Sequence, residues 1–189
     1  MMTTSDVLDN TGNPIKDSGD SYRDASPLAM GAGHINPNMA LEPGLVYDAS
    51  TDDYVSLLCS LNYTMKQIQH ISRTSSFKCL SKSSDLNYPS FIAFFNNDNT
   101  SSAVNNVQKF RRTVTNVGDG LSTYTVKLAP MMGFKLTVKP HTLNFTKKNQ
   151  KQSYILTMEG PQLMKDDVAH GSLTWVDTGR KYVVRSPIV

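Results

Sequence analysis

Residues 122–139, STYTVKLAPMMGFKLTVK, decide the fold of this chain. Apolar and polar side chains alternate in both halves of this stretch, first from Thr123 to Leu128 and then from Phe134 to Lys139. A period of two places successive side chains on opposite faces of an extended strand. The stretch therefore predicts two strands, each buried on one face.

On either side of this stretch, further runs have the composition of strands, and turn clusters such as Gly118-Asp119-Gly120 separate them. The runs are 90–95, 107–117, 142–146, 150–158, 168–177 and 181–188. Seven or eight short strands in about a hundred residues, without an intervening helix, are typical of an antiparallel sandwich. We therefore predict a mainly β chain in which a fibronectin type III-like antiparallel β-sandwich follows a short helical and irregular part.

The chain before the sandwich has helical spacing in two places. The run TDDYVSLLCSL at residues 51–61 puts four apolar side chains at helical spacing behind an acidic first turn. Thr64 and Gln67 form a capping-box pair before a one-sided apolar row, which predicts a second short helix. Residues 74–84 are expected to be a polar linker. Residues 1–9 are expected to be the last turns of a helix, because a turn-prone run follows them.

Composition excludes several classes of protein. The chain has 189 residues, of which 39% are hydrophobic, as in ordinary globular proteins. No run of about 18 apolar residues occurs, so no membrane span is expected, and residues 1–10 lack the pattern of a secretory signal. The net charge of +3 is small and the basic residues are dispersed among acidic ones, so no nucleic-acid partner is expected.

The two cysteines, Cys59 and Cys79, can be read in more than one way. A disulfide would close a loop across the predicted helices and stabilise it by about 3 kcal/mol in the chain-entropy model. Two free buried thiols are the alternative, because the count alone does not decide the pairing. A zinc site that also uses His70 lacks paired ligand spacing and a fourth ligand, so no metal or other cofactor is expected.

Three tripeptides of the Asn-x-Ser/Thr type begin at Asn62, Asn99 and Asn144 and are candidate N-glycosylation sites. This tripeptide is common by chance. Three in a short chain still favour a secreted protein.

Several segments together carry a family resemblance. They are SPLAMGAGHINPNMALEPGLVYD at 26–48, DLNYPS at 85–90, RTVTNVG at 112–118, VKPHTLNF at 138–145 and RSPIV at 185–189. In order and spacing they closely resemble the C-terminal portion of plant subtilisin-like serine proteases (subtilases, peptidase family S8).

The resemblance implies a division into three parts. Residues 1–55 would be the C-terminal end of a subtilisin-like catalytic domain, residues 56–84 a helical linker, and residues 85–189 a fibronectin type III-like domain. The family has a stretch similar to residues 1–4, MMTT, inside a helix after its catalytic serine, so Met1 is expected to mark a truncation or an internal start.

No catalytic residue is expected in this chain, because the family's Gly-Thr-Ser-Met type run is not found in it. Asp177-Thr178-Gly179 does spell the triplet of the family's catalytic aspartate. It lies near the wrong end of the sequence, however, and its residues favour a hairpin turn. His34 is expected to have a structural role, with a ring nitrogen bonded to nearby backbone.

The resemblance implies the C-terminal fragment of a secreted serine endopeptidase, located in the cell wall or apoplast. The fragment is expected to be inactive alone, with a sandwich that supports folding, maturation or substrate access. Its expected partners are the subtilisin catalytic domain and, through the parent enzyme, protein substrates. A stand-alone extracellular sandwich that serves as a binding module is the alternative, because a fold alone does not determine function.

Overall fold

The computed structural model describes residues 1–74, 77, 79, 85–95, 106–161 and 168–189. After a 3₁₀ turn at Met2–Thr4, its helices are α1 (Pro27–Met30), α2 (Pro37–Leu41), α3 (Thr51–Ser60) and α4 (Met65–Ser72). Its strands are β1 (Lys16–Asp17), β2 (Arg23–Asp24), β3 (Leu45–Tyr47), β4 (Val107–Asn116), β5 (Ser122–Ala129), β6 (Lys135–Lys139), β7 (Thr142–Phe145), β8 (Lys151–Glu159), β9 (Gly171–Asp177) and β10 (Val183–Ile188). Within these described residues, no helix combines the length and apolar character needed to cross a bilayer.

Two four-stranded antiparallel sheets form the centre of the structure. The first sheet has the order β3-β4-β8-β6, and the second has the order β10-β9-β5-β7. Side chains of both sheets form a common core, in which the rings of Tyr154 and Trp175 meet edge to face with centroids 5.1 Å apart. The predicted antiparallel sandwich is confirmed, and Trp175 is fully buried in its core.

The two alternating runs that predicted the fold lie in different sheets. β5 pairs with β7 and β9 in the second sheet, whereas β6 pairs with β8 in the first. Tyr124 on β5 and Val138 on β6 are both fully buried, while Lys127 and Lys139 point to solvent. The chain between the two strands therefore crosses from one layer of the sandwich to the other.

The free edge of β4 is covered by side chains of the DLNYPS segment. β3 pairs with β4 only as far as Tyr47 opposite Val114. Beyond that point the Asn87 side-chain amide donates to the carbonyl oxygen of Thr113 at 2.9 Å, and its oxygen accepts from the Thr113 N–H at 2.8 Å. The same amide donates to the Asp48 carbonyl at 2.8 Å. Asn87 thus continues the edge pairing after β3 ends.

A buried ion pair holds the same segment against β4. The guanidinium of Arg112 pairs with the Asp85 carboxylate, and the Arg112 and Asp85 side chains are 5% and 30% exposed. Arg112 also donates to the carbonyl oxygens of Tyr88 and Ser90 at 2.8 and 3.1 Å. Its guanidinium lies 4.7 Å from the centre of the Phe91 ring. The charge of Arg112 is therefore compensated on several sides.

The predicted strand over 90–95 is reduced to one parallel bridge between Phe91 and Ile188. The Phe91 N–H donates to the Pro187 carbonyl at 3.0 Å, and the Val189 N–H donates to the Phe91 carbonyl at 3.0 Å. These bonds cover the edge of β10, which would otherwise present unpaired backbone groups.

The two short helices predicted after residue 50 are confirmed. α3 begins after a capping box formed by Ser50 and Asp53, and α4 begins after the predicted box of Thr64 and Gln67. The two helices share a small apolar cluster, separate from the sandwich core, that contains Val55, Cys59, Ile68 and Phe77.

The prediction of a helix over residues 1–9 is wrong beyond its first turn. After the 3₁₀ turn at Met2–Thr4 the chain becomes extended, and Asp6 pairs with His34. A helix of so few residues has little stability of its own, because nucleation is unfavourable and propagation is short. Backbone pairing to the 26–48 segment replaces it.

Candidate domain interface

Residues 1–44, called the N-terminal segment below, pack on the outer face of the second sheet. The 3₁₀ turn contacts β10, and Arg185 Nη1 donates to the Ala32 carbonyl oxygen at 3.2 Å. Ser172 and Pro187 face each other across β9 and β10 and are buried, although they lie on the face opposite to Trp175. The N-terminal segment therefore covers part of a sheet face that would otherwise meet solvent.

Within this segment, Asp6 and His34 join two stretches of chain by a pair of backbone hydrogen bonds of 2.8 Å each. Gly33 permits this close approach, because its φ is +115° and a Cβ atom there would lie 2.2 Å from the Asp6 carbonyl oxygen. The side chain of Asn36 adds a hydrogen bond to the Asp6 carboxylate at 2.9 Å.

The structural role expected for His34 is carried by its main chain rather than by its ring. Within the described residues, its exposed ring makes no hydrogen bond to backbone, so the predicted ring bond is not found. The reason is geometric, since the extended pairing with Asp6 uses the main-chain N–H and carbonyl of His34 and leaves the side chain outside.

The LEPGLVYD run passes from the N-terminal segment into the sandwich. Gly44 has φ +73°, and its carbonyl oxygen accepts from the N–H groups of Val117 and Gly118 at 2.9 and 3.1 Å. Leu45 is fully buried and begins β3. The predicted division at residues 55 and 84 stays a prediction, but β3, which lies before residue 55, is a strand of the sandwich.

A buried cluster of hydroxyl groups ties this run to the end of the chain. The Tyr47 hydroxyl shares hydrogen bonds with the hydroxyls of Tyr154 and Ser186 at 2.7 and 3.0 Å. Burial is the main cause that raises the pKa of Tyr47 above its ordinary value, and it likewise raises the pKa of Tyr154. Both phenols therefore stay neutral and act as hydrogen-bonding groups.

A groove lies between the N-terminal segment and the second sheet. It is lined by apolar side chains, among them Leu8, Ile15 and Met30, and by the polar side chains of His170 and Arg185. Burial lowers the pKa of the Arg185 guanidinium, which has no acidic partner within the described residues. Asp24 also lines the groove, but its carboxylate is paired with Lys16.

The N-terminal segment presents large apolar side chains to solvent. The exposed fractions are 72% for Tyr22, 61% for Leu28, 61% for Ile35 and 83% for Leu41. The segment contacts the sandwich at its 3₁₀ turn, at Ala32 and at Gly44. Neither apolar cluster of the described residues includes a residue of this segment, so these side chains have no core of their own to enter.

The Asp177-Thr178-Gly179 triplet forms the predicted turn between β9 and β10. The Asp177 carboxylate accepts from the N–H groups of Gly179 and Tyr182 at 3.0 and 2.6 Å. An aspartate held by its own turn in this way acts as a structural cap.

The structure joins Cys59 and Cys79 by a disulfide with a Cα–Cα distance of 5.9 Å. Cys59 is buried on α3, while Cys79 is exposed. The described residues contain no group of three or more His, Cys, Asp and Glu side chains that could hold a metal ion.

Two of the candidate glycosylation sites can be placed. Asn62 is exposed, with φ +61°, in the turn between α3 and α4. Asn144 is exposed on β7, and its side-chain oxygen accepts from the Thr123 hydroxyl at 3.0 Å. Asn99 lies outside the described residues.

Sequence reasoning did not single out Arg185 or Gly44. Both lie inside quoted motifs, but the alternation of a strand marks only which face a side chain takes. The N-terminal segment covers the outer face of β10, and a tyrosine side chain packs against Gly44. Both contacts join segments that are distant in the sequence, so a local pattern does not predict them.

A family model described as a fibronectin type-III domain matches residues 85–189. Subtilisin-like protease SBT3 of Solanum lycopersicum is 52% identical to this chain over 192 aligned residues, which cover 100% of this chain and 25% of that protein. Subtilisin-like protease SBT1.3 of Arabidopsis thaliana is 39% identical and covers 100% of this chain and 24% of its own length. Among solved structures, a FixG-related protein from Vibrio parahaemolyticus aligns with 43% of this chain and 73% of its own, at 8% identity and a TM-score of 0.36.

The chain thus spans about a quarter of the length of the curated relatives that it matches. The match over the whole chain includes the N-terminal segment as well as the sandwich, so it extends beyond the fibronectin type-III domain. This chain belongs to the plant subtilisin-like protease family and corresponds to the C-terminal portion of its members, with a fibronectin type-III domain at residues 85–189.

Proposed function

We propose that this chain is the accessory C-terminal part of a serine endopeptidase, inactive by itself, whose sandwich supports folding, maturation or substrate access. It acts by packing on the rest of the subtilisin-like catalytic domain through the N-terminal segment, which is the end of that domain. The catalytic domain binds the protein substrates, and this chain affects them only through its contact with that domain.

The observation that carries this proposal is the exposed apolar surface of the N-terminal segment. Tyr22, Leu28, Ile35 and Leu41 are all more than half exposed, although the segment that carries them packs on the sandwich. Large apolar side chains in such numbers on a short anchored segment are typical of a surface that packs on another protein unit. The relatives support a subtilisin-like catalytic domain as that unit, since each is named a subtilisin-like protease and is about four times as long as this chain.

We further propose that the parent protein is secreted and glycosylated. Of the two acceptors among the described residues, Asn62 is the better placed, because it is exposed in a turn between two helices. The disulfide between Cys59 and Cys79 supports the same compartment, since structural disulfides persist mainly in oxidising environments.

A chimera tests the docking proposal. In the tomato relative, the residues that match this chain are replaced by residues 1–189, and the chimera is compared with the relative truncated at the same point. We expect the chimera to be secreted with peptidase activity and the truncated protein to lose at least about 90% of both. Replacing Ile35 and Leu41 by aspartate in the chimera should lower secreted activity at least about tenfold, because two charges would enter an apolar contact.

Leu121→Asp in the same chimera is the matched control, because Leu121 is 84% exposed in a loop of the sandwich. The doubly substituted 189-residue chain should keep its melting temperature, since both side chains are exposed. Equal activity of all the chimeras, or full activity of the truncated relative, would contradict the docking proposal and favour a stand-alone binding module.

Glycosylation has a separate test. When this chain is expressed behind a secretory leader in plant cells, treatment with a peptide N-glycosidase should lower its mass, and Asn62→Gln should remove one glycan. Asn10→Gln is the control, because Asn10 does not lie in an acceptor tripeptide. Secreted chain with the mass of the bare polypeptide would contradict the proposal.

A further inference from the structure

We propose that Arg185 is a docking residue for a carboxylate, supplied by an aspartate or glutamate side chain of the catalytic domain. This inference rests on the proposed function and names the polar contact of that interface. The carboxylate would enter the groove between the N-terminal segment and the second sheet.

The first argument is the unused hydrogen-bonding capacity of Arg185. A guanidinium carries five N–H donors in a planar fork. In the described residues, Arg185 makes one hydrogen bond, from Nη1 to the Ala32 carbonyl oxygen, and no ion pair. The side chain is nevertheless half-buried against apolar neighbours, where an uncompensated charge is unfavourable.

Arg112 is a buried arginine of the same chain whose guanidinium has a full set of partners. Its guanidinium has a carboxylate partner in Asp85, two carbonyl acceptors in Tyr88 and Ser90, and the face of the Phe91 ring. The Arg185 guanidinium, by contrast, has one carbonyl acceptor and no carboxylate partner within the described residues. The difference indicates that the environment of Arg185 is completed by something outside these residues.

The shape of the groove selects the chemistry of the occupant. Apolar side chains such as Leu8, Ile15 and Met30 line it, and Arg185 supplies a fork that matches a carboxylate in a bidentate manner. Asp24 also lines the groove, but its carboxylate is 62% exposed and forms its ion pair with Lys16 rather than with Arg185. The His170 ring lines the same groove and can donate a further hydrogen bond to the carboxylate. An acidic side chain with an aliphatic stem fits both the apolar lining and the charge.

The position of the groove points to the catalytic domain as the source. Its lining comes from the N-terminal segment on one side and, on the other, from the end of β5, the chain at the start of β9, and β10. The exposed apolar side chains of the proposed docking surface belong to the same segment. One approaching domain can therefore cover the apolar side chains and place a carboxylate in the groove.

The test uses the tomato chimera with Arg185→Lys and a carbodiimide, which joins an amine to a carboxylate in direct contact. We expect a cross-linked peptide between residue 185 and an Asp or Glu of the catalytic domain, detected by mass spectrometry. Lys109, an exposed cation on the outer face of the other sheet, is the internal control and should give no such peptide. Cross-links from residue 185 only to this chain's own acids, or none at all, would overturn the proposal.

Arg185→Leu gives a second, functional readout. In the isolated 189-residue chain the melting temperature should stay equal or rise, because removing a half-buried charge that has no acidic partner offsets the loss of one hydrogen bond to the Ala32 carbonyl. In the chimera the half-life of thermal inactivation should fall at least about fivefold, while Lys109→Leu leaves it unchanged. A drop in the melting temperature of the isolated chain would make Arg185 a residue of the sandwich itself and overturn the inference. If instead the unsubstituted chimera is inactive, the proposed function fails first.

Discussion

Gly44→Ala is expected to destabilise the sandwich by about 4 kcal/mol, as measured by urea unfolding of the 189-residue chain. Two effects add. Gly44 has φ +73°, a region in which a residue with a Cβ atom is strained by about 1–2 kcal/mol. A Cβ atom there would also lie 2.7 Å from Cβ and Cγ of Tyr182 and 2.8 Å from the hydroxyl oxygen of Tyr124.

The clash cannot be relieved by a small movement. The nearest atoms belong to the root of the Tyr182 side chain, and Tyr182 and Tyr124 are both buried. Overpacking of a closed core costs about 1–3 kcal/mol in general, because neighbours must leave their rotamers or the backbone must shift. A backbone shift at this position would move the Gly44 carbonyl oxygen, which accepts hydrogen bonds from the N–H groups of Val117 and Gly118.

Gly12→Ala separates the two effects. Gly12 has φ +82°, but a Cβ atom there would meet no atom within 4 Å. This variant should therefore show the backbone strain alone, about 1–2 kcal/mol. If Gly44→Ala and Gly12→Ala lower the free energy of unfolding equally, the Tyr182 side chain moves aside at little cost, and the expectation is contradicted.

The sequence predicts the sandwich well because its strands carry a local signal. The alternation in β5 and β6 follows from burial of one face, and a window of six residues is enough to detect it. The capping box at Thr64 and Gln67 is local in the same sense and begins α4 as predicted. The turn that follows Asp177 is likewise predicted from the turn-forming residues within it.

What the sequence does not predict depends on contacts between distant segments. Residues 1–9 have helical composition, but the pairing of Asp6 with His34, far along the chain, determines their conformation. Asn87 looks like an ordinary turn residue until β3 ends beside it and leaves Thr113 unpaired. The proposed docking surface has the same origin, since the exposure of Leu41 is known only once the sandwich is assembled.

Asp85→Ala is expected to cost about 3–5 kcal/mol in the free energy of unfolding, because it leaves the buried Arg112 without its carboxylate. The Arg112 side chain is 5% exposed, so its charge is poorly solvated once the carboxylate is gone. The carboxylate also accepts from the Arg111 N–H at 2.7 Å, and that backbone donor would lose its partner as well. Thermal unfolding of the 189-residue chain, followed by circular dichroism, measures the effect.

Two further variants make the interpretation specific. Asp20→Ala removes a carboxylate from the exposed ion pair with Arg23 and should leave the melting temperature nearly unchanged, because exposed ion pairs contribute little to stability. Adding Arg112→Met to Asp85→Ala removes the buried charge that the single variant leaves unpaired, so the double variant should be more stable than Asp85→Ala alone. If the double variant is instead the less stable of the two, the contacts of Arg112 with Tyr88, Ser90 and Phe91 outweigh its charge. In that case the DLNYPS segment is held mainly by those contacts, and the carboxylate at residue 85 is secondary.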